Sequence, residues 1–115
     1  MKMIVAMIRP NRLTAIKGAL VGGGFSGITV CAVKGGGTQG GVVERYRGSK
    51  YVVDLLDKVE IKVAVNDEDL EKAIKIISDT AKTGEVGDGK IFVLNVEEVV
   101  RIRTSETGHA ALENK

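Results

Sequence analysis

The sequence contains no tryptophan, one cysteine, one proline, two tyrosines and two phenylalanines among its 115 residues. A single cysteine excludes an internal disulfide and is typical of a protein from the reducing cytoplasm. So few aromatic side chains leave little for single-stranded bases to stack on. A net charge of +2 without a basic run also argues against a surface that neutralises phosphates. We therefore expect a cytoplasmic protein with no nucleic-acid partner.

Long apolar runs and catalytic groups are also scarce. No stretch approaches the length of a membrane span and the first residues lack the layout of a signal peptide, so we expect no direct membrane insertion. The only histidine, His109, lies in a polar tail, and Cys31 lies in a buried-looking strand with no base near it in sequence. One cysteine and one histidine are too few for a metal cluster. These features predict a protein that is not an enzyme, with Cys31 as a small core residue.

The order of the hydrophobic segments predicts an α+β fold. A chain of this length is expected to form one domain, 1–115. Apolar or alternating runs predict strands, and apolar residues at helical spacing predict helices, in the order strand 3–8, helix 11–21, strand 28–33, strand 58–65, helix 67–81 and strand 91–96. Two strand-helix-strand units give a ferredoxin-like βαββαβ sandwich with both helices on one face of the sheet. Because the first strand is apolar on both faces, we expect further copies of the chain to cover the second face.

Glycine is abundant, with 15 residues, and one glycine cluster opens a long connection between the second and third strands. This connection, from Gly35 to Leu55, has about twenty residues, and loops of that length in compact domains are usually functional or disordered. It contains both tyrosines, with arginines and a lysine around them. Tyrosine and arginine on an exposed arm are typical of a partner-binding element. The alternative is an insertion without a function.

A second glycine-rich stretch, residues 83–90, precedes the last strand. Backbone amides that no side chain obstructs can surround phosphates, and Lys90, Arg101 and Arg103 would supply matching charge. Neither this stretch nor residues 35–37 is a Walker A loop, which needs Gly-Lys-Ser/Thr at the start of a helix. Tight turns and helix capping explain the glycines equally well, so spacing alone leaves both interpretations open.

Two longer motifs are more specific. Residues 46–51, YRGSKY, closely resemble one signature of the PII nitrogen-regulatory signal-transduction proteins, and residues 83–93, TGEVGDGKIFV, resemble their second signature. The resemblance runs from Met1 to about Leu112. It implies a homotrimer of ferredoxin-like subunits, with a nucleotide site in each cleft between neighbours. ATP and ADP would compete there, and 2-oxoglutarate would bind beside Mg-ATP. It further implies a T-loop at about 37–55, a nucleotide-binding loop at about 82–90 and a C-terminal loop at about 101–115.

The resemblance also implies which positions bind the ligands. Thr29, Met7 and Ala64 would surround the adenine. The positions implied for the rest of the nucleotide are Gly35, Gly37, Thr38, Gln39, Gly87, Asp88, Gly89 and Lys90, with Arg101 and Arg103 from the neighbouring subunit. Gln39 would be the protein ligand of Mg²⁺, an ion that favours oxygen ligands. Gln39, Lys58 and Gly87 would bind 2-oxoglutarate.

The implied partners are an ammonium transporter, enzymes of nitrogen metabolism or their regulators. They would dock on the T-loop through Arg45, Tyr46, Arg47 and Tyr51. Tyr51 aligns with a tyrosine that some family members carry as a nucleotidylation site, and Ser49 with a phosphorylation site in others. Either modification would add negative charge and bulk at the docking surface.

The chain departs from the family pattern at Gly36, Thr38 and Gly40. Family members usually carry a large residue, a basic residue and a lysine at these positions. Loss of two positive charges near the triphosphate is expected to weaken ATP relative to ADP. One alternative function is therefore a diverged PII-like sensor of adenylate or carbon status that does not respond to 2-oxoglutarate. A purely structural oligomer is a further alternative, and it leaves the paired glycine loops and the Tyr/Arg arm unexplained.

Overall fold

The architecture is given by a computed structural model that describes residues 1–35, 42–46, 49–53 and 55–113, with the backbone alone for 42–46 and 49–53. The strands are β1 (Lys2–Ile8), β2 (Ile28–Gly35), β3 (Val42–Tyr46), β4 (Ser49–Val53), β5 (Leu56–Val65) and β6 (Lys90–Asn95). The helices are α1 (Leu13–Gly22), α2 (Leu70–Ala81) and α3 (His109–Leu112). Short 3₁₀ turns, Pro10–Arg12 and Asp67–Asp69, precede α1 and α2.

Four strands form an antiparallel sheet in the order β2-β5-β1-β6. Strands β1 and β2 flank α1 in sequence and are separated in space by β5, as two interleaved strand-helix-strand units require. The observed order of elements therefore confirms the ferredoxin-like α+β fold.

The core lies between one face of this sheet and helices α1 and α2. The alternation predicted for β5 is confirmed, because Val59, Ile61, Val63 and Val65 are all buried. The other fully buried large side chains are Ile4 and Ile8 of β1, Ile16 and Leu20 of α1, and Ile77 of α2. Burial of large aliphatic side chains contributes roughly 1.5–3 kcal/mol each, so this layer carries most of the fold's stability.

The second face of the sheet is apolar and open in the single chain. Cross-strand pairing places Val5 beside Phe92, and Met3 beside Leu94, on the side opposite buried Ile4. Phe92 and Leu94 are 49% and 53% exposed. This is the face that the sequence predicts to be covered by further copies of the chain.

Cys31 is exposed, so its predicted place in the core is wrong for the single chain. It lies on β2, which is at the edge of the sheet, and it pairs with Glu60 on the face opposite the helices. Its β-branched neighbours indicate a strand but do not reveal whether that strand lies at the centre or at the edge.

The connection between β2 and β5 is not a plain loop. Its strands β3 and β4 pair antiparallel, from Val42 opposite Val53 to Tyr46 opposite Ser49, as a separate two-stranded sheet. The third core strand also begins at Leu56, two residues before the predicted start. The valines and tyrosines of both segments are residue types that favour strands, whereas the neighbouring glycines disfavour them.

The C-terminal segment, described from the sequence as a polar tail, contains a turn and a short helix. An isolated bridge joins Val100 to Thr107 around the turn at residues 101–105, and α3 follows. At the other end of the chain, the Met1 carbonyl accepts a hydrogen bond from Val96 N, and the Met1 amine lies 2.9 Å from Asp67 Oδ1.

Candidate functional site

The glycine-rich loop at residues 83–90 connects α2 to β6 and is organised around the carboxylate of Asp88. The backbone amides of Thr83 and Gly84 donate to Asp88 Oδ2 at 2.8 and 2.9 Å, and the Thr83 hydroxyl donates to Oδ1. The Thr83 hydroxyl in turn accepts from Glu85 N at 3.1 Å. A single side chain thus ties the two ends of the loop together.

These hydrogen bonds fix the charge of Asp88. They hold the pKa of the Asp88 carboxyl well below its ordinary value of 3.8, chiefly through the Thr83 hydroxyl and then the Thr83 amide, with smaller contributions from Gly84 and Arg9. Partial burial acts in the opposite direction and is outweighed. Donors that bond the charged form of a carboxyl favour that form, so Asp88 is an anion throughout the neutral range.

Three glycines in this loop have positive φ angles that L side chains rarely adopt: Gly84 at 88°, Gly87 at 102° and Gly89 at 101°. Gly89 is constrained by space as well, because a Cβ built there would lie 1.7 Å from the Met7 carbonyl oxygen. The loop backbone therefore approaches the end of β1 more closely than any other residue would permit. Successive backbone N–H groups around left-handed residues can form a concavity that binds anions.

Two cationic side chains, one just after β1 and one on β5, donate hydrogen bonds to the loop. Arg9, just after β1, donates from Nε to Asp88 Oδ1 at 3.2 Å and from Nη2 to the Val86 carbonyl at 2.7 Å. Lys58 of β5 donates from Nζ to the Gly87 carbonyl at 2.8 Å. Among the described residues, no acceptor takes the backbone N–H of Gly87 or Gly89. The loop therefore has carbonyls that accept hydrogen bonds and free amides, and its last residue, Lys90, is exposed.

The residues expected around an adenine share one face of the sheet. Met7, Thr29 and Ala64 all lie on the face opposite the helices, since each pairs in register with residues of that face. Lys58 lies on this face too, because it is two and four residues from Glu60 and Lys62, which pair with Met7 and Thr29. The structure therefore brings Met7, Thr29, Ala64 and Lys58 to one surface, with the 83–90 loop at its edge.

Arg101 is bound within its own chain. Its guanidinium lies 3.5 Å from Glu106 Oε1 and donates to the carbonyls of Ala110 at 3.4 Å, Ala111 at 3.1 Å and Glu113. With Ala64 it lines a cavity of about 310 Å³ beside the start of β2. Arg103 is exposed on the turn.

The sequence profile of the family described as "Nitrogen regulatory protein P-II" matches residues 1–106. The chain belongs to this family. It is 52% identical to "Nitrogen regulatory protein P-II" of Porphyra purpurea over 97% of the chain and 100% of that protein. It is 54% identical to the protein of the same name from Mesorhizobium japonicum, again over 97% and 100%, and 51% identical to "Nitrogen regulatory protein P-II 2" of Methanothermobacter thermautotrophicus, over 97% of each.

P-II membership agrees with the two motifs and with the fold. The family's name is that of a regulator of nitrogen metabolism rather than of an enzyme. No helix in the described part of the chain is long and apolar enough to cross a membrane. The same residues contain no group of three or more His, Cys, Asp or Glu side chains arranged to bind a metal.

Several of the predicted P-II site residues lie outside the described residues, namely Gly37, Thr38, Gln39 and Arg47. Arg45, Tyr46, Ser49 and Tyr51 are described by backbone alone, in the β3–β4 hairpin. Gly35 ends β2, opposite Leu56, and its Cβ position would lie 3.1 Å from Lys58 Cγ.

Sequence reasoning missed Arg9 and the capping role of Thr83. Arg9 is separated from Asp88 by 79 positions, so no local spacing links the two. A weak signal was present, since Arg9 is a charge placed directly at the end of an apolar strand. Thr83 belongs to the second motif, and a threonine before a Gly-x-x-Gly-Asp run is a reasonable partner for the aspartate, because both side chains favour local turn hydrogen bonds.

Proposed function

We propose that this P-II protein is a homotrimeric signal-transduction protein that binds ATP and ADP and transmits their occupancy to proteins of nitrogen assimilation. The observation that carries the proposal is the 83–90 loop. The loop has three glycines with positive φ, an Asp88 carboxylate that accepts hydrogen bonds from the loop backbone, and free amides at Gly87 and Gly89. Together these features would form a preformed site for an anion, here called the phosphate cradle. Lys90 adds a positive charge at its rim.

The residues present suit a nucleotide. Phosphate oxygens would accept from the amides of Gly87 and Gly89 and from Lys90, and the adenine would lie against Met7, Thr29 and Ala64. Gly35, Gly37 and Thr38 would approach the phosphates from the same subunit. Arg101 and Arg103 would contact them from the neighbouring one, which requires Arg101 to exchange its present carbonyl partners for phosphate. A guanidinium bonds an anionic phosphate more strongly than a neutral carbonyl, which favours that exchange.

2-Oxoglutarate and Mg²⁺ complete the proposal. Gln39 would be the protein ligand of the ion, with the remaining oxygens coming from phosphate and 2-oxoglutarate. Lys58 would pair with the distal carboxylate of 2-oxoglutarate beside Gly87. The 2.8 Å hydrogen bond from Lys58 to the Gly87 carbonyl supports this assignment, because it keeps the ammonium next to the phosphate cradle.

The effector arm of the proposal is the segment at about 37–55. It would dock through Arg45, Tyr46, Arg47 and Tyr51 on an ammonium transporter, on an enzyme of nitrogen metabolism or on its regulator. Phosphorylation of Ser49 or nucleotidylation of Tyr51 would add charge there and oppose docking. A ligand that binds Gln39, at the base of the arm, would shift the populations of its conformations and so change the partner.

Calorimetric titration of the whole chain with ATP and with ADP tests the nucleotide site. We expect both to bind, and Lys90→Gln to weaken ATP by about tenfold or more, because a charge-assisted phosphate contact is lost. Lys17→Gln, an exposed lysine on α1, is the matched control and should leave the affinity unchanged. Equal affinities for the wild type and Lys90→Gln would contradict the assignment of the loop.

The departures at Gly36, Thr38 and Gly40 favour a second candidate. A chain without two of the usual positive charges beside the triphosphate fits a sensor of adenylate or carbon status that does not respond to 2-oxoglutarate. In that case nucleotides bind to the wild type and 2-oxoglutarate changes nothing.

A further inference from the structure

We propose that Arg9 is a positioning residue that keeps the 83–90 loop in its ligand-binding shape. The inference rests on the proposed function for the ligand, and on the contacts of Arg9 for the positioning. Arg9 immediately follows β1, whose Ile8 is 1% exposed, so the guanidinium projects from a fixed strand end.

Arg9 contacts the loop at two separate points. Nε bonds the Asp88 carboxylate at 3.2 Å and Nη2 bonds the Val86 carbonyl at 2.7 Å. The guanidinium is planar and its donors have a fixed spacing, so these two bonds together set the distance between Val86 and Asp88. Lysine has three donors on a single nitrogen and no planar fork, so it would hold the two acceptors at a less well-defined spacing.

The effect of Arg9 extends across the loop through Asp88. The same carboxylate accepts from the amides of Thr83 and Gly84, at the opposite end of the loop. Fixing Asp88 therefore fixes where residues 83 and 84 lie, and the Val86 bond limits the residues between them. The contact chain runs from β1 through Arg9 and Asp88 to the first residues of the loop.

An ordinary surface ion pair contributes little, and three features distinguish this one. The side chains of Arg9 and Asp88 are only 29% and 24% exposed. The arginine binds two loop groups rather than one. The loop also contains three positive-φ glycines, whose freedom in the unfolded chain makes the ordered shape costly to adopt. Hydrogen bonds from a side chain anchored next to the sheet therefore matter more for the shape of this loop than they would for a loop of bulkier residues.

Two of the guanidinium donors of Arg9 bond loop acceptors, the Asp88 carboxylate and the Val86 carbonyl, and through them Arg9 acts on the shape of the loop. This distinguishes Arg9 from Lys90, whose ammonium is exposed beside the free amides. Loss of Arg9 should leave the binding groups present and raise the cost of assembling them, since affinity falls in proportion to the fraction of competent loop.

Amide hydrogen exchange of Thr83 and Gly84, measured by NMR without any nucleotide, tests the positioning directly. We expect Arg9→Gln to speed exchange at both amides by about tenfold or more, since charged hydrogen bonds are lost and the loop opens more often. Arg9→Lys keeps the charge and loses the planar guanidinium, so its exchange rates should fall between those of Arg9→Gln and the wild type. Lys17→Gln should match the wild type, and the β-ladder amide of Val63 should not change in any variant.

ATP titration of the same proteins then tests the link to the ligand. Arg9→Gln should weaken ATP by a factor similar to its increase in exchange, with Arg9→Lys again intermediate. Unchanged exchange at Thr83 and Gly84 in Arg9→Gln overturns the positioning role. Faster exchange with unchanged ATP affinity overturns the claim that the loop shape matters for binding. If the wild type binds no nucleotide, the proposed function fails, and the exchange result alone still decides whether Arg9 fixes the loop.

Discussion

Gly89 and Asp88 show how adjacent residues can serve one site by opposite means. Gly89 contributes by having no side chain, because its φ of 101° and the nearby Met7 carbonyl exclude any larger residue. Asp88 contributes a carboxylate that accepts hydrogen bonds from both ends of the loop. The absence of a Cβ lets the backbone approach β1, and the carboxylate keeps it there.

At Gly89, substitution by alanine should destabilise the chain by about 2 kcal/mol or more, from left-handed strain together with the clash against the Met7 carbonyl. Urea unfolding followed by circular dichroism measures the change. Gly18→Ala is the control, because Gly18 lies within α1 with open space around its Cβ position. It should instead stabilise by roughly 0.5–1 kcal/mol. A Gly89→Ala chain as stable as the wild type would contradict the close approach.

At Asp88, the depressed pKa has a consequence for pH. The stability that its hydrogen bonds contribute is fully present above the ordinary aspartate value of 3.8, and is lost as pH falls below 3.8 toward the folded-state value. Thr83→Ala removes the hydroxyl, the largest cause of the depression, so the pKa of Asp88 should rise toward 3.8.

NMR titration of the Asp88 carboxyl carbon checks this prediction. The wild type should show no midpoint near pH 3.8, whereas Thr83→Ala should titrate closer to it. Thr14→Ala, an exposed threonine on α1, serves as the control and should behave as the wild type does. An identical titration in all three proteins would show that the Thr83 hydroxyl does not bond Asp88.

At the scale of elements, the sequence predicts a strand and its buried residues best where only one face of the strand is buried. Strand β5 alternates because one face packs on the helices, and Val59 to Val65 show this directly. The glycine loop at 83–90 is predictable from its motif. The partners of Asp88 across the sheet are not, since Arg9 is 79 positions away. Cys31 was misplaced because the residue types of an edge strand resemble those of a central one.

The β3–β4 hairpin is the element best suited to removal. It forms its own two-stranded sheet, so the four-stranded sheet does not need its hydrogen bonds. Replacing residues 42–53 with a short Gly-Ser linker should leave the assembly mass and the ADP affinity unchanged while removing the proposed docking surface. Light scattering and calorimetry measure the two quantities. A deletion variant that dissociates or unfolds would show that the hairpin is structural.

At the scale of the whole molecule, the sheet has one open apolar face, which we propose is covered by further copies of the chain. Phe92 and Leu94 are about half exposed beside Val5 and Met3, on the side that the helices do not cover. Exposed contiguous apolar surface of this kind marks an interface, and three copies of the chain would bury it around a common axis. The nucleotide residues Met7, Thr29 and Ala64 lie on the same face. Assembly and ligand binding are therefore coupled in the proposal.

Leu94→Glu tests this interface. A charge buried between subunits without a partner is costly, so the variant should sediment toward the 12.2 kDa mass of one chain, whereas the wild type should sediment at three times that mass. Val21→Glu, at an exposed apolar residue of α1, should remain assembled. A trimeric Leu94→Glu variant would place the interface elsewhere.

We propose that this P-II protein couples a nucleotide to a second, carbon-derived ligand at the same cleft. Calorimetric titration of ATP with magnesium, in the presence and absence of 2-oxoglutarate, tests it most directly. Linkage requires each ligand to strengthen the other by the same factor. We predict this reciprocal gain in affinity. Nucleotide binding that 2-oxoglutarate leaves unchanged would contradict it and favour the adenylate sensor, and an absence of nucleotide binding would refute the assignment of the 83–90 loop altogether.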